Sequence, residues 1–401
     1  MNKYFLKDLF EKPISGEWGK ELEDGIIGFP VIRTTNFTNI GEINYDDLAY
    51  RDIDPIKKEN KFLKLGDIII EKSGGTPDNP VGRVVYFNKK GKKFFTNNFT
   101  AALRTINNAD SKYLFYLLYY LHKRKVVLKY QNKTTGIINL QLNDYLKKTE
   151  VEIPTLSMQK ETVDLLDGLR NLIKIRKEQI QDYDDLIESL FFEILNKSFI
   201  KEISFDDMFE IIDGDRGKNY PKKNDLLEEG YCLFLNTKNV TKTGFKFEQL
   251  EFITEEKDNK LRKGRTKIGD FILTTRGTVG NIAYIDKDID FKNIRINSGM
   301  VILRRKLEIN PKFFEVLIRK TDILVKAKSG SAQPQLPIKS LKKVLIPTID
   351  VELQNKFADY VLKIEEEKKK LNESLLELES LFDALMEDAF SGNLFKEWEG
   401  R

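Results

Sequence analysis

The sequence predicts an α+β fold in which two mixed α/β domains are separated by two long antiparallel coiled-coil helices, with a pseudo-two-fold internal repeat. Three observations lead to this prediction. Short motifs recur in the same order in both halves of the 401-residue chain, each half has strand and turn signals, and each half then changes to a long helical period. The predicted segments, in the order domain, helix, domain, helix, are 1–158, 159–198, 199–351 and 352–401.

The repeat is visible as pairs of matching motifs. "GDIIIEKSGGT" at 66–76 corresponds to "GDFILTTRGT" at 269–278, and each reads as a turn, a short apolar strand and a glycine loop. The matched positions are Gly66 with Gly269, Asp110 with Asn310 and Gln159 with Gln354, at offsets of 203, 200 and 195. Offsets that change so little require only a few small insertions or deletions, which indicates an internal duplication.

Within each half, runs of β-forming residues bounded by turn residues predict the strands, and Asp110 and Asn310 are N-cap residues in front of apolar helical patterns. The predicted strands are 67–71, 82–88, 101–106, 232–236, 270–275, 280–285 and 300–304. Pro154 and Pro347 then close the two domains.

After each of these prolines, apolar residues recur at alternating steps of three and four, which is typical of a coiled-coil seam. The seam residues are Leu166, Leu169, Ile173, Ile180, Tyr183, Ile187, Leu190 and Ile194 in the first helix, and Phe357, Val361, Ile364, Leu371, Leu375, Leu378, Phe382 and Leu385 in the second. Arg176 and Lys368 interrupt the seams. An antiparallel pairing separates these two cations, whereas a parallel pairing brings them together. The alternative is that each helix lies on its own domain.

Charge is distributed unevenly along the chain. Residues 160–197 carry six basic and nine acidic side chains and 352–401 carry seven and thirteen, so with a total of +4 the rest of the chain has a net charge of +13. Basic domains and acidic helices predict that a polyanion such as duplex DNA binds to the domains. A helix of about 40 residues is about 60 Å long, which suits a spacer between two recognition units. The alternative is a general lysine bias with acidic helices that favour solubility.

Composition excludes several function classes. One cysteine, Cys232, and one histidine, His122, leave no disulfide framework and no cysteine-rich zinc site. The sequence contains neither the "NPPY" or "DPPY" tetrad of methyltransferases nor a P-loop, and its start lacks the apolar core of a signal peptide. We therefore expect a cytoplasmic protein that binds without catalysis, with no metal site.

Loop residues around the glycine turns could contact DNA. Arginine and lysine bind guanine or phosphate, asparagine and glutamine bind adenine, and hydroxyls bind phosphate. Each of these side chains, taken alone, is more often a solvated loop residue, so the prediction rests on the set as a whole. The candidates are Ser15, Trp18, Arg33, Thr34, Asn36, Lys72, Ser73, Gly75, Thr76, Arg83, Asn97, Asn98, Lys133, Thr134 and Thr135 in the first half, and Arg216, Lys218, Tyr220, Asn236, Thr237, Lys238, Thr275, Arg276, Thr278, Arg295, Asn297, Lys328, Ser329, Ser331, Gln333 and Gln335 in the second.

These motifs together resemble a known family. "SGEWG", "VIRTTNF", "GDIIIEKSGG", "GRVVYF" and "TTGIINL", followed by "DGDRGKNYP", "GDFILTTRGTVG", "SGSAQPQL" and "IPTIDVELQ", resemble the specificity subunits of type I restriction-modification systems over essentially the whole chain. The resemblance implies two target-recognition domains that each read one half of a split, asymmetric DNA site. It also implies that the helices act as ruler and assembly platform.

The resemblance further implies partners and cofactors. Two modification subunits would bring S-adenosylmethionine for adenine methylation, and restriction subunits that use ATP and magnesium may join them. None of these cofactors is expected to bind this chain directly. Two alternatives remain open: the recognition subunit of a related two-component system whose partner fuses methylation and cleavage, and a duplicated coiled-coil scaffold that binds acidic proteins.

Overall fold

The computed structural model describes residues 2–23, 25, 27–76, 79–106, 109–134, 137–198, 200–330 and 334–394. The chain divides into two compact units: unit 1 comprises residues 1–177 together with 374–401, and unit 2 comprises residues 178–373. Each unit therefore contains one of the repeated domains and part of each long helix. The prediction of four functional segments, two recognition domains and two spacers, stays a prediction.

The strands of unit 1 are β1 (Asn2–Phe5), β2 (Ile14–Ser15), β3 (Phe29–Ile32), β4 (Ala49–Arg51), β5 (Ile68–Glu71), β6 (Ser73–Gly74), β7 (Val84–Tyr86), β8 (Phe95–Thr96), β9 (Thr100–Leu103), β10 (Gln131–Thr134), β11 (Ile137–Leu140) and β12 (Glu150–Ile153). Those of unit 2 are β13 (Lys201–Ser204), β14 (Phe209–Asp213), β15 (Cys232–Leu235), β16 (Val240–Thr241), β17 (Gly244–Phe245), β18 (Phe252–Ile253), β19 (Phe271–Thr274), β20 (Ile282–Tyr284), β21 (Ile294–Ile296), β22 (Met300–Arg305) and β23 (Leu345–Thr348). The α-helices are α1 (Ser111–Lys123), α2 (Leu142–Lys148), α3 (Leu156–Lys197), α4 (Phe205–Met208), α5 (Glu255–Lys260), α6 (Pro311–Lys320), α7 (Ile338–Leu341) and α8 (Val351–Ser391).

The two units have corresponding sheets. The central sheet has the order β2-β9-β5-β7 in unit 1 and β14-β22-β19-β20 in unit 2. A second sheet has the order β4-β3-β8 or β18-β15-β21, and in each case its last two strands pair in parallel. The first and last strands of each domain pair as β1-β12 and β13-β23. The predicted α+β class and internal repeat are therefore confirmed.

The Gly-Asp pair in front of β5 and β19 has a structural role. Gly66 and Gly269 have φ angles of 91° and 93°, a conformation that glycine adopts without strain. The following carboxylate is buried and accepts two hydrogen bonds from one guanidinium: Arg104 binds Asp67 at 2.9 and 2.8 Å, and Arg304 binds Asp270 at 3.0 and 2.8 Å. This bidentate pair ties the start of the central strand to its neighbour in the sheet.

Helices α3 and α8 pack against each other in antiparallel directions within each unit. In unit 2, Asp184 pairs with Lys368 at 2.5 Å, and Phe191, further along α3, packs on Phe357, earlier in α8. In unit 1, Lys177 pairs with Glu379 at 2.7 Å. The predicted antiparallel pairing is therefore confirmed, and Lys368 is accommodated at the seam by an acidic partner.

The ends of the long helices also pack on the domains. In unit 2, Phe191 contacts Phe313 of α6, and both Phe191 and Leu195 are buried in the same core as Ile187. In unit 1, Leu166 of α3 and Met386 of α8 are buried in the core that contains α1. The apolar face is therefore broader than the predicted seam, and the alternative of a helix lying on its own domain is also correct at these ends.

A buried glutamine connects each long helix to a shorter one. Gln159 accepts a hydrogen bond from the N–H of Asp110 at 2.8 Å, and its amide donates to the carbonyl of Pro154 at 2.9 Å. Gln354 does the same in unit 2, where it accepts from the N–H of Asn310 at 2.8 Å and donates to the carbonyl of Ile349 at 2.8 Å. Two of the matched positions in each half, the N-cap residue and the glutamine, are thus hydrogen-bonded to each other within that half.

Replacing Gln159 or Gln354 by alanine is expected to lower the free energy of unfolding by about 2–3 kcal/mol, since a buried N–H and a buried carbonyl lose their partners. Urea denaturation followed by circular dichroism measures this change. Gln181→Ala serves as the control because Gln181 is exposed on α3 and donates to Asp185 of the same helix. Equal stabilities for all three variants would contradict the assignment.

Candidate functional site

Each unit has a turn that leads from the second sheet into the central sheet. We call it the crossing turn; it comprises residues 97–99 between β8 and β9, and residues 297–299 between β21 and β22. Its first N–H donates to a strand-end carbonyl, from Asn97 to Ile32 at 3.0 Å and from Asn297 to Leu235 at 2.9 Å. The same backbone bond therefore positions the turn in both units.

The crossing turn is also held by the residues that follow β5 and β19. In unit 1, the carbonyl of Phe99 accepts from the N–H groups of Lys72 and Ser73 at 2.7 and 3.2 Å. In unit 2, the carbonyl of Gly299 accepts from the N–H groups of Thr275 and Arg276 at 2.8 and 3.1 Å. Lys72 thus corresponds to Thr275, and Ser73 corresponds to Arg276. The equivalent backbones carry different side chains.

The first glycine of "SGEWG", Gly16, and the first glycine of "DGDRG", Gly214, lie directly against the crossing turn. A Cβ atom on Gly16 would lie 1.9 Å from the carbonyl oxygen of Asn97, and one on Gly214 would lie 2.2 Å from that of Asn297. Only glycine fits such a close approach of two backbones. Both motifs are therefore explained by the same contact.

In unit 1 the crossing turn lies next to Lys72, whose side chain is half-buried. Burial, and then the charge of Lys61, lower the pKa of the Lys72 ammonium. Lys61 pairs with Glu17 at 2.9 Å, whereas no ion pair forms at Lys72 among the residues that the structure describes. Among the described residues, no carboxylate therefore neutralises the ammonium of Lys72.

Three further side chains near the crossing turn of unit 1, those of Ser73, Asn98 and Phe99, are uncharged. Ser73 donates its hydroxyl to Oδ1 of Asn139 at 2.7 Å, and Asn98 is exposed. Phe99, at the tip of the turn, is 50% exposed. Sequence analysis did not select Lys61 or Phe99, although Phe99 lies within the "TNNFT" motif.

In unit 2 two arginines lie beside the crossing turn. Arg276 is exposed, and no acidic partner is found for it in the described part of the chain. Arg216 pairs with Asp213 at 3.2 Å and donates to the carbonyl of Ser298 at 3.4 Å. The phenol oxygen of Tyr220 accepts from the N–H of Ser298 at 3.5 Å. This unit therefore presents guanidinium groups where unit 1 presents an ammonium and a phenyl ring.

Other predicted residues of unit 2 lie around the same turn or at the surface. Thr275 donates its hydroxyl to the carbonyl of Gly299 at 3.0 Å, and Thr278 donates to that of Thr237 at 3.4 Å. Ser329 and Gln335 pair through their backbones. Arg33 pairs with Asp47 at 2.9 Å, and Asn236 donates to Glu251 at 3.2 Å, so both side chains have partners within their units. The other exposed or half-buried candidates are Ser15, Thr34, Gly75 and Thr76 in unit 1, and Lys218, Lys238 and Lys328 in unit 2.

The structure assigns interior roles to several predicted contact residues, which corrects those predictions. Asn36 is 2% exposed, and its amide donates to two backbone carbonyls, those of Asn44 and Asp47. Asn239 in unit 2 makes the corresponding bonds to Lys246 and Gln249. An amide with all its donors occupied inside the fold has none left for a base.

Two predicted arginines and the predicted tryptophan also have their interaction partners inside their own units. Arg83 forms a bidentate pair with buried Glu71 at 3.0 and 3.1 Å. Arg295 is buried and donates to buried Asp258 at 2.6 Å. The Trp18 ring lies 4.0 Å from the guanidinium of Arg51 and packs against a small core. Each is satisfied inside its unit, so we expect substitutions there to act on folding.

Asn97 is also buried, so its side chain contributes to the turn rather than to its surface. Thr135, Ser331 and Gln333 lie outside the described residues, and for Lys133 and Thr134 only the backbone, in β10, is described. In the described ranges no set of three or more histidine, cysteine, aspartate or glutamate side chains is arranged to hold a metal ion, and no helix has the length and apolar composition needed to cross a membrane.

Comparison with known proteins gives consistent matches. The model of the type I restriction modification DNA specificity domain matches residues 1–182 and again residues 199–379. A putative type I restriction enzyme specificity subunit of Haemophilus influenzae is 31% identical over 116 residues, which is 29% of this chain and 27% of that protein. The EcoBI specificity subunit of Escherichia coli is 23% identical over 159 residues, 37% of this chain and 32% of that protein. The aligned regions thus span about a third or less of these relatives.

Two solved structures share the fold. A chain from a study of complex assembly and conformational transition of the type I R-M system has a TM-score of 0.61 at 15% identity, with 97% of both chains covered. The type I restriction-modification S subunit from M. genitalium has a TM-score of 0.53 at 18% identity, with 97% of this chain and 96% of that chain covered. Likeness at such low identity establishes the architecture of the chain.

Proposed function

The chain belongs to the type I restriction-modification DNA specificity family, whose domain occurs once in each half, and from this we propose that it is the sequence-recognition subunit of such a system. Each unit reads one half of a bipartite, asymmetric site in duplex DNA. The long helices set the gap between the half-sites and dock the modification subunits. Methylation and cleavage reside in partner subunits that bring S-adenosylmethionine, ATP and magnesium, and this chain binds none of these itself.

One observation supports this proposal above the others: the crossing turns have the same backbone hydrogen bonds but different side chains. Lys72 and Phe99 of unit 1 correspond to Thr275 and Gly299 of unit 2, and Arg276 replaces Ser73. Base edges are distinguished by side-chain chemistry on a positioned backbone. Two such turns with different side chains are suited to reading two different half-sites, which gives an asymmetric target.

Docking of modification subunits on the helices is supported by exposed apolar side chains in unit 1. Leu172 and Ile175 of α3 are exposed, as are Leu376 and Leu381 of α8. Large apolar side chains grouped on long helices are typical of protein interaction surfaces. The proposal therefore predicts that a partner helix covers them.

The test is to titrate the chain, assembled with its modification subunits, against duplex DNA at increasing salt. Methylation-sensitive sequencing of host DNA first identifies the site. Neutralisation of phosphates predicts that the affinity falls steeply as salt rises and that a scrambled duplex binds more weakly at every salt concentration. A flat salt response with equal binding to both duplexes would contradict DNA recognition and favour an acidic protein partner.

The lowered pKa of Lys72 makes a separate prediction about pH. An ammonium is charged below its pKa, so its attraction for DNA is present at low pH and is lost as pH rises through the lowered pKa. The affinity of the assembled protein for DNA is therefore expected to begin to decline at a lower pH than it would if Lys72 had the pKa of an ordinary lysine. Lys72→Arg keeps its charge and should not show this part of the decline. Superimposable pH profiles would remove Lys72 from the interface.

A further inference from the structure

A groove lined by lysines and aromatic rings lies in unit 1, apart from the residues described above. It has a volume of about 580 Å³, and its walls include the rings of Phe29, Tyr45 and Tyr50. The loop between β7 and β8, "NKKGKKF" at residues 88–94, contributes four lysines. These are Lys89, Lys90, Lys92 and Lys93, and all four are exposed. Nothing in the proposed reading of the half-sites uses this groove.

The loop is anchored at both ends. Tyr45 donates its hydroxyl to Oδ1 of Asn88 at 3.2 Å, where the loop begins. Phe94, where it ends, is buried, and its carbonyl accepts from the N–H of Leu63 at 3.0 Å. Burial raises the pKa of Tyr45 to about 12, so this phenol remains a hydrogen-bond donor. The lysines are therefore presented on a fixed support.

Two of the four lysines are held by aromatic rings rather than by carboxylates. The Nζ atom of Lys89 lies 4.8 Å from the ring centre of Tyr45, and that of Lys93 lies 4.6 Å from the ring centre of Phe62. No carboxylate of the described chain comes within ion-pair distance of any of the four. A cation–π contact orients an ammonium without neutralising it, so the groove retains its full positive charge.

The fold itself does not require this charge, because unit 2 lacks it. The corresponding loop between β20 and β21, residues 286–292, carries Asp286, Asp288 and Asp290 with only two lysines, a net charge of −1. The loop in unit 1 has a net charge of +4. A difference of this kind between two copies of one domain indicates that the lysines serve a partner of one copy only.

The groove is connected to the crossing turn through β8. The Phe62 ring that supports Lys93 also packs on Phe95 of β8, with ring centres 4.7 Å apart. Phe94 and Asn97 are three residues apart along an extended segment, which corresponds to about 10 Å. Base pairs in duplex DNA are about 3.4 Å apart. A duplex that runs along β8 from the crossing turn would therefore reach the groove within about three base pairs.

We propose that the groove binds the sugar-phosphate backbone of duplex DNA just outside the half-site read by unit 1. This inference rests on the proposed function. Four unpaired ammonium groups match the point charges of phosphates, and exposed Tyr50 adds a hydroxyl donor. Contacts to the backbone carry no sequence information, so the groove adds affinity and length to the footprint on one side of the site only.

The experiment uses the full chain assembled with its modification subunits. Lys89, Lys90, Lys92 and Lys93 are all replaced by glutamine. Two duplexes carry the same site: one continues about two helical turns beyond the half-site of unit 1, and the other ends at the edge of that half-site. Lys287→Gln with Lys292→Gln in the corresponding loop of unit 2 is the matched control.

On the long duplex, the quadruple variant is expected to reduce the steepness of log affinity against log salt by about 3.6, since each of the four phosphate contacts contributes about 0.9. On the short duplex it should behave like the unmodified chain, and the control variant should match the unmodified chain on both. The four lysines are exposed, so the thermal unfolding midpoint should not change.

Other results would overturn the inference. An unchanged slope with sequence preference retained refutes the groove and leaves the proposed function standing. An equal loss on both duplexes places the lysines on the half-site itself and refutes a flanking duplex contact. If the unmodified chain shows no sequence preference, the proposed function and this inference fail together.

Discussion

Replacing Asp270 by alanine is expected to lower the free energy of unfolding of unit 2 by about 3–5 kcal/mol. The Asp270 carboxylate is 1% exposed and accepts two hydrogen bonds from Arg304 and one, at 2.7 Å, from the N–H of Lys267. Its removal leaves the partly buried guanidinium with only the exposed carboxylate of Glu210, 4.0 Å away, as a counter-charge, and frees the turn in front of β19. Urea denaturation followed by circular dichroism measures the loss.

Two comparisons make this prediction specific. Asp67→Ala should cost a similar amount in unit 1, because Arg104 binds Asp67 in the same way. Asp270→Ala combined with Arg304→Leu should regain part of the stability, since no unpaired charge then remains. Glu352→Ala, which breaks an exposed pair with Lys356, is the control and should change stability by less than about 1 kcal/mol. A loss below that limit for Asp270→Ala would refute a structural role for the Gly-Asp motif.

Lys72→Ala and Arg276→Ala are expected to relax recognition of different halves of the DNA site. For a base contact, each loss is about 1–3 kcal/mol, or about 5- to 150-fold in discrimination at the affected position. The reason is that Lys72 and Arg276 lie beside the crossing turns of different units. Competition binding of the assembled protein to duplexes with single base changes in either half measures the effect.

The control for both variants is Lys147→Ala, since Lys147 is exposed in α2 and lies outside the crossing turn. Uniform weakening over all sequences, together with a lower salt slope, would make Lys72 or Arg276 a phosphate contact. Relaxation of the same half-site by both variants would contradict the assignment of one half-site to each unit.

The parts of the fold with a local signal could be predicted from sequence. The strands beginning at Asp67 and Asp270 were predicted within one residue of β5 and β19, and the period of three and four located both long helices. Phe191 was missed because the seam was followed through Leu190. A helix that packs on two neighbours buries a broader face than a single seam. Pairing of β1 with β12 joins segments about 150 residues apart, for which a short motif carries no signal.

The candidate site shows the same limit. Residue types around the glycine loops selected Lys72 and Arg276, whose role as DNA contacts stays a prediction. The same reasoning selected Asn36, Arg83 and Arg295, whose side chains are bonded within the fold. The two groups differ in their ion-pair partners. Arg295 pairs with Asp258, which is distant in sequence, and Arg83 pairs with Glu71, which is buried on strand β5. The four lysines of the groove were not selected because their significance depends on the rings beneath them.

Unit 1 is assembled from both ends of the chain, and this affects the order in which the protein can form on the ribosome. Residues 178–373 leave the ribosome before residues 374–391, so unit 2 can finish folding while unit 1 still lacks part of its core. In the complete protein, Phe382 and Phe390 pack on Tyr113, Tyr116 and Tyr120 of α1. Until residues 374–391 have been synthesised, this face of α1 stays exposed. A nonsense mutation late in the gene would therefore damage the domain encoded first.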